Sequence, residues 1–338
     1  MGRNKKSQQI DIFLSICLLI LLIGLFGGSL WNGDRNGYED FYNNRLSIDQ
    51  WGTEIGYGLL NIVFNKIGVS YQYFQLIISI ISMCLVFRYL SRVSTVFFIS
   101  ILFYAVFMLP LDYVLIRTTI AYAIILNSLI YLYKGEKVKF FILVLIAFTF
   151  HQSSIIFAFL GFLPKDFKTV KLSRYLNGSF LLVLVFLLIK NFNLLPNNII
   201  EHLNYYKPSI KSVIFSTFLH GLSVFFILYD TNIRLNSNES FSHKKYISFI
   251  KAINILSVLL IPLYFQADIF VRVFRLFVFI NIIYLLQMML ETKKISLYAL
   301  SYIVIFSFYL FFYYIYLTAN YSIYPMINSN FLYEYLIG

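Results

Sequence analysis

Residues 137–164, KVKFFILVLIAFTFHQSSIIFAFLGFLP, decide how this chain is laid out. The run is apolar apart from Lys137, Lys139 and a central polar group, His151, Gln152, Ser153 and Ser154. As one membrane span it would hold a histidine and three polar neighbours in hydrocarbon, where ionisable groups are costly and rarely idle. As two spans meeting at His151, it brings the histidine to an aqueous face. The choice fixes the side on which every later segment lies, and so which residues can share a site.

The basic residues favour two spans. With a turn at His151, apolar segments fall near 10–30, 71–88, 94–110, 113–133, 137–150, 152–164, 174–190, 210–229, 247–265, 269–290 and 295–317. That arrangement places the N-terminus inside and the C-terminus outside. The inner segments then hold most of the chain's 27 lysines and arginines, including Arg88, Arg92, Lys134, Lys137, Lys139, Lys244 and Lys245. A single span over 137–164 would send the cluster Lys165, Lys168, Lys171 and Arg174 outward and flip every later loop. The positive-inside rule therefore selects the two-span reading.

Composition agrees with this class. The chain has 338 residues, 60% hydrophobic and 12% charged, and a mean hydropathy of +0.77. That excludes an ordinary soluble domain. The apolar runs approach the roughly 20 residues that a spanning helix needs, and they lack the alternation of a barrel. The fold class expected is all-α, a polytopic integral membrane protein of about 11 transmembrane helices forming a single transmembrane domain over 1–338. The net charge of +12 follows from the inner basic loops and does not call for nucleic acid. Cys17 and Cys84 both fall in apolar runs and offer neither metal spacing nor a disulfide. Arg3, Lys5 and Lys6 before the apolar run Ile12 to Phe26, with Gly27 to Ser29 after it, imitate a signal peptide. Because many spans follow, the run is read as a retained first helix.

The outer side is different in character. Segment 31–70 carries Asp34, Glu39, Asp40, Asp49 and Glu54 beside Arg35, Arg45 and Lys66, with Trp31, Trp51 and several tyrosines. Its last part, Glu54 to Ile67, has an apolar face but is short for a span, which predicts an interfacial or re-entrant helix. Segment 191–209 is a second outer loop, with Pro196, Glu201, His202, Tyr205, Tyr206 and Lys207. A tyrosine-rich tail over 318–338 is expected along the outer surface. Glycine-rich phosphate loops, HExxH and zinc spacings are absent from the sequence, so no metal or other cofactor is expected.

Three groups of polar residues sit near the outer ends of spans. Arg117, about one turn into its span, either snorkels or pairs with Asp112, or it binds phosphate through its planar, permanently charged guanidinium. Arg272 and Arg275 open a later span, with Asp268 four residues before Arg272, so all three share one helical face. They form either an ion pair with an anchor or a two-arginine diphosphate clamp. His151 is either a hairpin residue that caps a helix or a general base or hydrogen-bond donor. Glu54, Asp34, Asp40 and Asp49 are alternative bases. Tyr205, Tyr206, Trp31 and Trp51 offer rings for stacking on sugars or for an interfacial belt.

Several segments, in order, resemble the EpsG-like family of bacterial polysaccharide polymerases, which are Wzy-type. They are GDRNGYEDFY (Gly33 to Tyr42), TEIGYGLLN (Thr53 to Asn61), IRTTIAYAI (Ile116 to Ile124), KFFILVLIAFTFHQSSIIF (Lys139 to Phe157) and, more loosely, the arginine-bearing span after Asp268. Ile55 stands where the family usually has proline after the glutamate, and Thr118 where it usually has glutamine after the arginine. The resemblance implies a fold similar to C-type membrane glycosyltransferases. It also implies transfer of a growing glycan from undecaprenyl diphosphate to a sugar hydroxyl of the next lipid-linked repeat unit. The setting is capsule or exopolysaccharide synthesis at the outer face of the bacterial plasma membrane. Glu54 and His151 are then the expected catalytic residues, and Arg117, Arg272 and Arg275 the diphosphate ligands. Arg35, Asp40, Tyr57 and Tyr205 are expected to bind sugar or acceptor. The partners implied are the undecaprenyl-diphosphate-linked oligosaccharide and membrane lipid, with a chain-length regulator and a flippase as associated proteins. A lipid-linked-oligosaccharide flippase or transporter, a glycan ligase using the same donor and an integral acyltransferase are the rival readings.

Overall fold

The computed structural model describes residues 5–191, 207–237, 241–267, 269–292 and 296–331. Pro196, Glu201, His202, Tyr205, Tyr206, Asp268, Tyr333 and Tyr335 lie outside the described residues. In chain order the helices are α1 (Lys5–Gly27), α2 (Arg35–Asn44), α3 (Ile55–Lys66), α4 (Tyr71–Val93) and α5 (Phe97–Phe107). Then come α6 (Leu109–Asp112), α7 (Ile116–Lys134), α8 (Lys137–Phe150), α9 (Leu172–Asn191) and α10 (Ile210–Leu235). The last are α11 (Phe241–Ser257), α12 (Ile261–Tyr264), α13 (Ile269–Thr292), α14 (Leu297–Phe311) and α15 (Ile323–Asn328). Among the described residues the fold is all-helical, broken only by an isolated antiparallel bridge between Ser29 and Asn330.

Seven of the described helices are long and apolar enough to cross a membrane, which makes this a multi-pass membrane protein. They are Gln9–Gly27, Tyr71–Val93, Ile116–Lys134, Ile210–Leu235, His243–Tyr264, Phe270–Thr292 and Leu297–Tyr316. The four other expected spans correspond to α5, α8, the 3-10 helix Gln152–Phe162 and α9. Three of these are short. Helix α8 has 14 residues, a rise of about 21 Å. The 3-10 segment has 11, a rise of about 22 Å. Neither matches the roughly 30 Å of hydrocarbon in a bilayer.

The chain nevertheless reverses at His151, as the sequence predicts. The last α8 bond runs from His151 N–H to the Ala147 carbonyl at 3.0 Å. His151 itself is extended, with φ −154° and ψ 121°, and Ser154 caps the turn by donating Oγ–H to the His151 carbonyl at 2.8 Å. Gly161 then packs against the Phe141 ring so closely that a side chain there would collide with it. Ten residues past the turn, the chain is back beside the start of α8.

The chain divides into two compact units, residues 1–161 with 304–338, and residues 162–303. In the first, α1 packs on α4 and α5, α4 on α7, and α7 on α8. Gln75 of α4 is fully buried and donates to the carbonyls of Phe26 at 2.9 Å and Ser29 at 3.0 Å, so the end of α1 is tied to α4. The described part of the tail returns to the same place. Leu30 N–H bonds the Ser329 carbonyl at 2.7 Å, and Phe331 N–H bonds the Gly28 carbonyl at 2.8 Å. Helix α3 buries Tyr57, Gly58, Asn61 and Ile62 and turns Ile55, Leu59, Val63 and Ile67 outward. A helix with an outward apolar face is what the sequence predicts over Glu54 to Ile67.

The second unit is held by polar groups buried between apolar helices. Asn254 of α11 and Asn281 of α13 exchange amide hydrogen bonds at 2.7 and 2.8 Å, and Asn281 also donates to Tyr302 Oη at 3.0 Å. His220 lies between Tyr264 Oη at 2.6 Å and Ser257 Oγ at 2.8 Å, stacked on Phe274. Arg234 pairs with Asp230 at 2.8 Å, and Tyr284 Oη donates to the same carboxylate oxygen at 2.9 Å. Buried polar groups need such partners, and in an apolar surround they fix helix register.

Candidate active site

The site is built where α3 begins. A 3-10 turn over Ile48–Trp51 is closed by a capping box in which Ser47 N–H donates to Gln50 Oε1 at 3.1 Å. Gly52 follows at φ +54°, a conformation that side chains disfavour. The turn delivers Glu54 as the N-cap of α3, with its side chain not used for capping. That carboxylate gains from the positive end of the helix while it points elsewhere.

What it points at is set by Gly56. A Cβ at Gly56 would meet the Thr149 side chain and come within 3.1 Å of the Thr149 carbonyl. Only glycine lets α3 approach the last turn of α8 this closely. The contact lies two residues after Glu54 and two before His151, so it places those side chains together.

The result is a three-residue cluster. Glu54 Oε1 lies 3.0 Å from His151 Nδ1 and also accepts from Gln152 N–H at 3.4 Å. Glu54 Oε2 accepts from Arg117 Nη1 in a short ion pair. Side-chain exposures of 11% for Glu54, 15% for His151 and 28% for Arg117 make the cluster recessed but reachable. Arg117 lies in the first turn of α7, its guanidinium carbon 5.3 Å from the Tyr38 ring centroid. Burial pushes the Glu54 carboxyl up, but the His151 hydrogen bond and the Arg117 charge outweigh it and hold the group below its ordinary value. Burial pushes the Tyr38 phenol up, while the Arg117 guanidinium, by charge and hydrogen bond, pulls the other way.

This geometry fixes the histidine tautomer. An ionised carboxylate can only accept, so Nδ1 carries the proton, and the lone pair of the neutral ring is the one at Nε2. Among the described residues Nε2 has no hydrogen-bond partner. Arg117 Nε likewise has none, although the atom is buried. A recessed base oriented by a carboxylate, beside a cation with donors to spare, can take a proton from a hydroxyl and stabilise an anionic leaving group.

The other expected site residues are distributed differently. Arg117 pairs with Glu54, while Asp112, its neighbour in sequence, accepts from Tyr104 Oη at 2.7 Å. Arg35 is buried and spends its donors on the Ser29 carbonyl at 2.7 Å, Gln75 at 3.2 Å and Glu39 at 3.5 Å. Asp40 is exposed and accepts from Asn44 at 2.6 Å. Tyr57 is fully buried, edge-on to Tyr38 and Trp51. Trp51 is itself buried, between Phe41 and Tyr57. Arg272 and Arg275 lie on α13 of the second unit, half-buried and fully buried respectively. Tyr205 lies outside the described residues. Tyr38 and Thr149 are the residues that sequence reasoning passed over. Tyr38 stood within GDRNGYEDFY without a titratable or metal-binding role to mark it.

A multi-pass helical membrane protein with a carboxylate–histidine–arginine cluster is the class that this fold and site define. Residues 11–330 match the EpsG family, so the chain belongs to that family, which is polysaccharide-polymerase-like. Comparisons with curated proteins and with solved structures find no match.

Proposed function

We propose that the protein polymerises a polysaccharide by transferring a growing glycan from undecaprenyl diphosphate to a sugar hydroxyl of the next lipid-linked unit. The reading has the site facing outward from a bacterial plasma membrane, in capsule or exopolysaccharide synthesis. The observation that carries it is the Glu54–His151 pair beside Arg117, in a chain of the EpsG family.

In this reaction His151 Nε2 accepts the proton of the acceptor hydroxyl as its oxygen bonds to the donor's anomeric carbon. The bond from that carbon to phosphate oxygen breaks, and the lipid diphosphate leaves with the electron pair. Glu54 holds the histidine in the required tautomer and stabilises the imidazolium that forms, a division of labour familiar from carboxylate–histidine pairs. Arg117 offers its remaining donors to the departing diphosphate. Arg272 and Arg275, on α13 of the second unit, remain proposed phosphate ligands by family resemblance alone.

Eleven apolar segments, in a fold like that of C-type membrane glycosyltransferases, give this reaction its setting. The two arms at His151 form a hairpin that enters from the inner side and returns to it. In this reading His151 sits at the outward end of the hairpin. The inner placement of Lys137, Lys139, Lys165 and Lys168 supports this orientation.

The test is the length distribution of surface glycan in cells expressing wild type, Arg117→Ala or His151→Ala at matched levels. Collapse of the ladder to one repeat unit on its carrier is expected of both variants. Long glycan retained on the carrier would instead make the chain a ligase, and units trapped on the inner leaflet a transporter.

A further inference from the structure

A polymerase of this kind consumes two lipid-linked substrates, and the cluster around Glu54 accounts for the reacting end of the transfer. The second unit carries a separate feature that suits a lipid. At the start of α10 a crevice of ≈ 450 Å³ is walled by Ile210, Val213, Ile214, Phe218 and Phe265, with Lys207 on its edge. Ile210, Ile214 and Phe218 recur every fourth residue and are 79%, 64% and 63% exposed, and Phe265 is 56% exposed. The crevice between these side chains falls within the size range of ligand pockets.

Its polar end is basic. Lys207 precedes the helix and Lys211 lies in its first turn, both exposed. Ser209 caps the helix by accepting from Ser212 N–H at 3.1 Å. The N-terminus of a 26-residue helix adds its partial positive charge to the two lysines. Apolar walls with Lys207 among them, and Lys211 exposed on the first turn of α10, complement a long hydrocarbon chain that ends in phosphate.

We infer that this crevice is a binding site for the tail and phosphate of a polyprenyl diphosphate lipid, one of the two lipid-linked substrates. The inference rests on the polymerase reading for the identity of the lipid, and on the crevice and its lysines for the place.

The test uses the full chain in nanodiscs of zwitterionic phospholipid, with a benzophenone-bearing polyprenyl diphosphate as the probe and mass spectrometry to locate the label. Light should label residues 207–218, and unlabelled undecaprenyl diphosphate should compete. Lys207→Glu combined with Ile214→Trp, both at exposed positions, should lower labelling roughly tenfold, the effect of losing one charge-assisted hydrogen bond. Labelling is read without any turnover, so it stands or falls separately from polymer formation. Equal labelling of exposed α10 positions far from the crevice, such as Phe225, would reduce the feature to annular lipid and overturn the inference. So would equal competition by phosphatidylglycerol, which would make it a general anionic-lipid site.

Discussion

Replacing Glu54 by glutamine tests the site most directly, because it changes charge and tautomer control while keeping shape. The side chain loses its ion pair with Arg117 and its claim on the proton of His151 Nδ1. A broken surface pair costs about 0.2–1 kcal/mol, and a fully buried one about 3–5 kcal/mol. With exposures of 11% and 28%, the loss should fall between these, at roughly 1–3 kcal/mol. The catalytic cost should be larger. A neutral amide can donate as well as accept, so His151 is free to protonate at Nε2, where a base is useless. Loss of general-base assistance is worth about 10²–10⁴-fold in rate. The assay is the initial rate of repeat-unit consumption by purified enzyme in proteoliposomes, paired with a thermal melt of the same preparation. A fall of two or more orders of magnitude, with a melt lowered by only a few degrees, is expected. If the variant keeps its rate within a few fold, Glu54 is a scaffold for Arg117 and the proton-transfer scheme is wrong.

Other changes probe the same structure from different sides. Gly56→Val should drive α3 away from Thr149 and uncouple Glu54 from His151, costing about 1–3 kcal/mol by overpacking and abolishing activity; melts and glycan gels read both. The depressed Glu54 carboxyl stabilises the fold at pH above the ordinary carboxylate range, and that share is lost as pH falls through the lowered folded-state value. Acid melts of wild type should therefore drop further than those of Glu54→Gln, whose difference from wild type should vanish at low pH. In the second unit, Asn254→Leu should cost about 1–3 kcal/mol by stranding the Asn281 amide. The double change Asn254→Leu with Asn281→Leu should cost less than the two single changes added, as a double-mutant cycle will measure.

The break at His151 was legible because polar residues interrupt an apolar run and the basic residues around it agree on one topology. Arm length was harder to read. Residues 137–150 and 152–164 satisfy hydropathy as spans, but the second arm winds as a 3-10 helix, a local choice that hydropathy does not encode. Glu54, Arg117 and His151 were each visible as costly or unusual residues, yet their association was not. Glu54 and Arg117 are separated by 63 residues, and they meet because Gly56 permits one close helix contact. Sequence proximity pointed Arg117 toward Asp112, but Tyr104 binds that carboxylate. Arg35 shows the converse. The family resemblance implies sugar or acceptor binding for it, while in the fold it donates to the carbonyl of Ser29 and the amide oxygen of Gln75.

The bridge between Ser29 and Asn330 bears on how the molecule is made. Asn330 Nδ2 donates to the Leu25 carbonyl at 2.9 Å across 305 residues of sequence. At a synthesis rate of about 5–20 residues per second, the end of α1 waits roughly 15–60 s for this partner. During that time the Gly28 carbonyl and Leu30 N–H lack the tail that later satisfies them, at the edge of a helix already handed to the membrane. The first unit can close only after the second has been threaded. Until then water or lipid head groups must satisfy the end of α1.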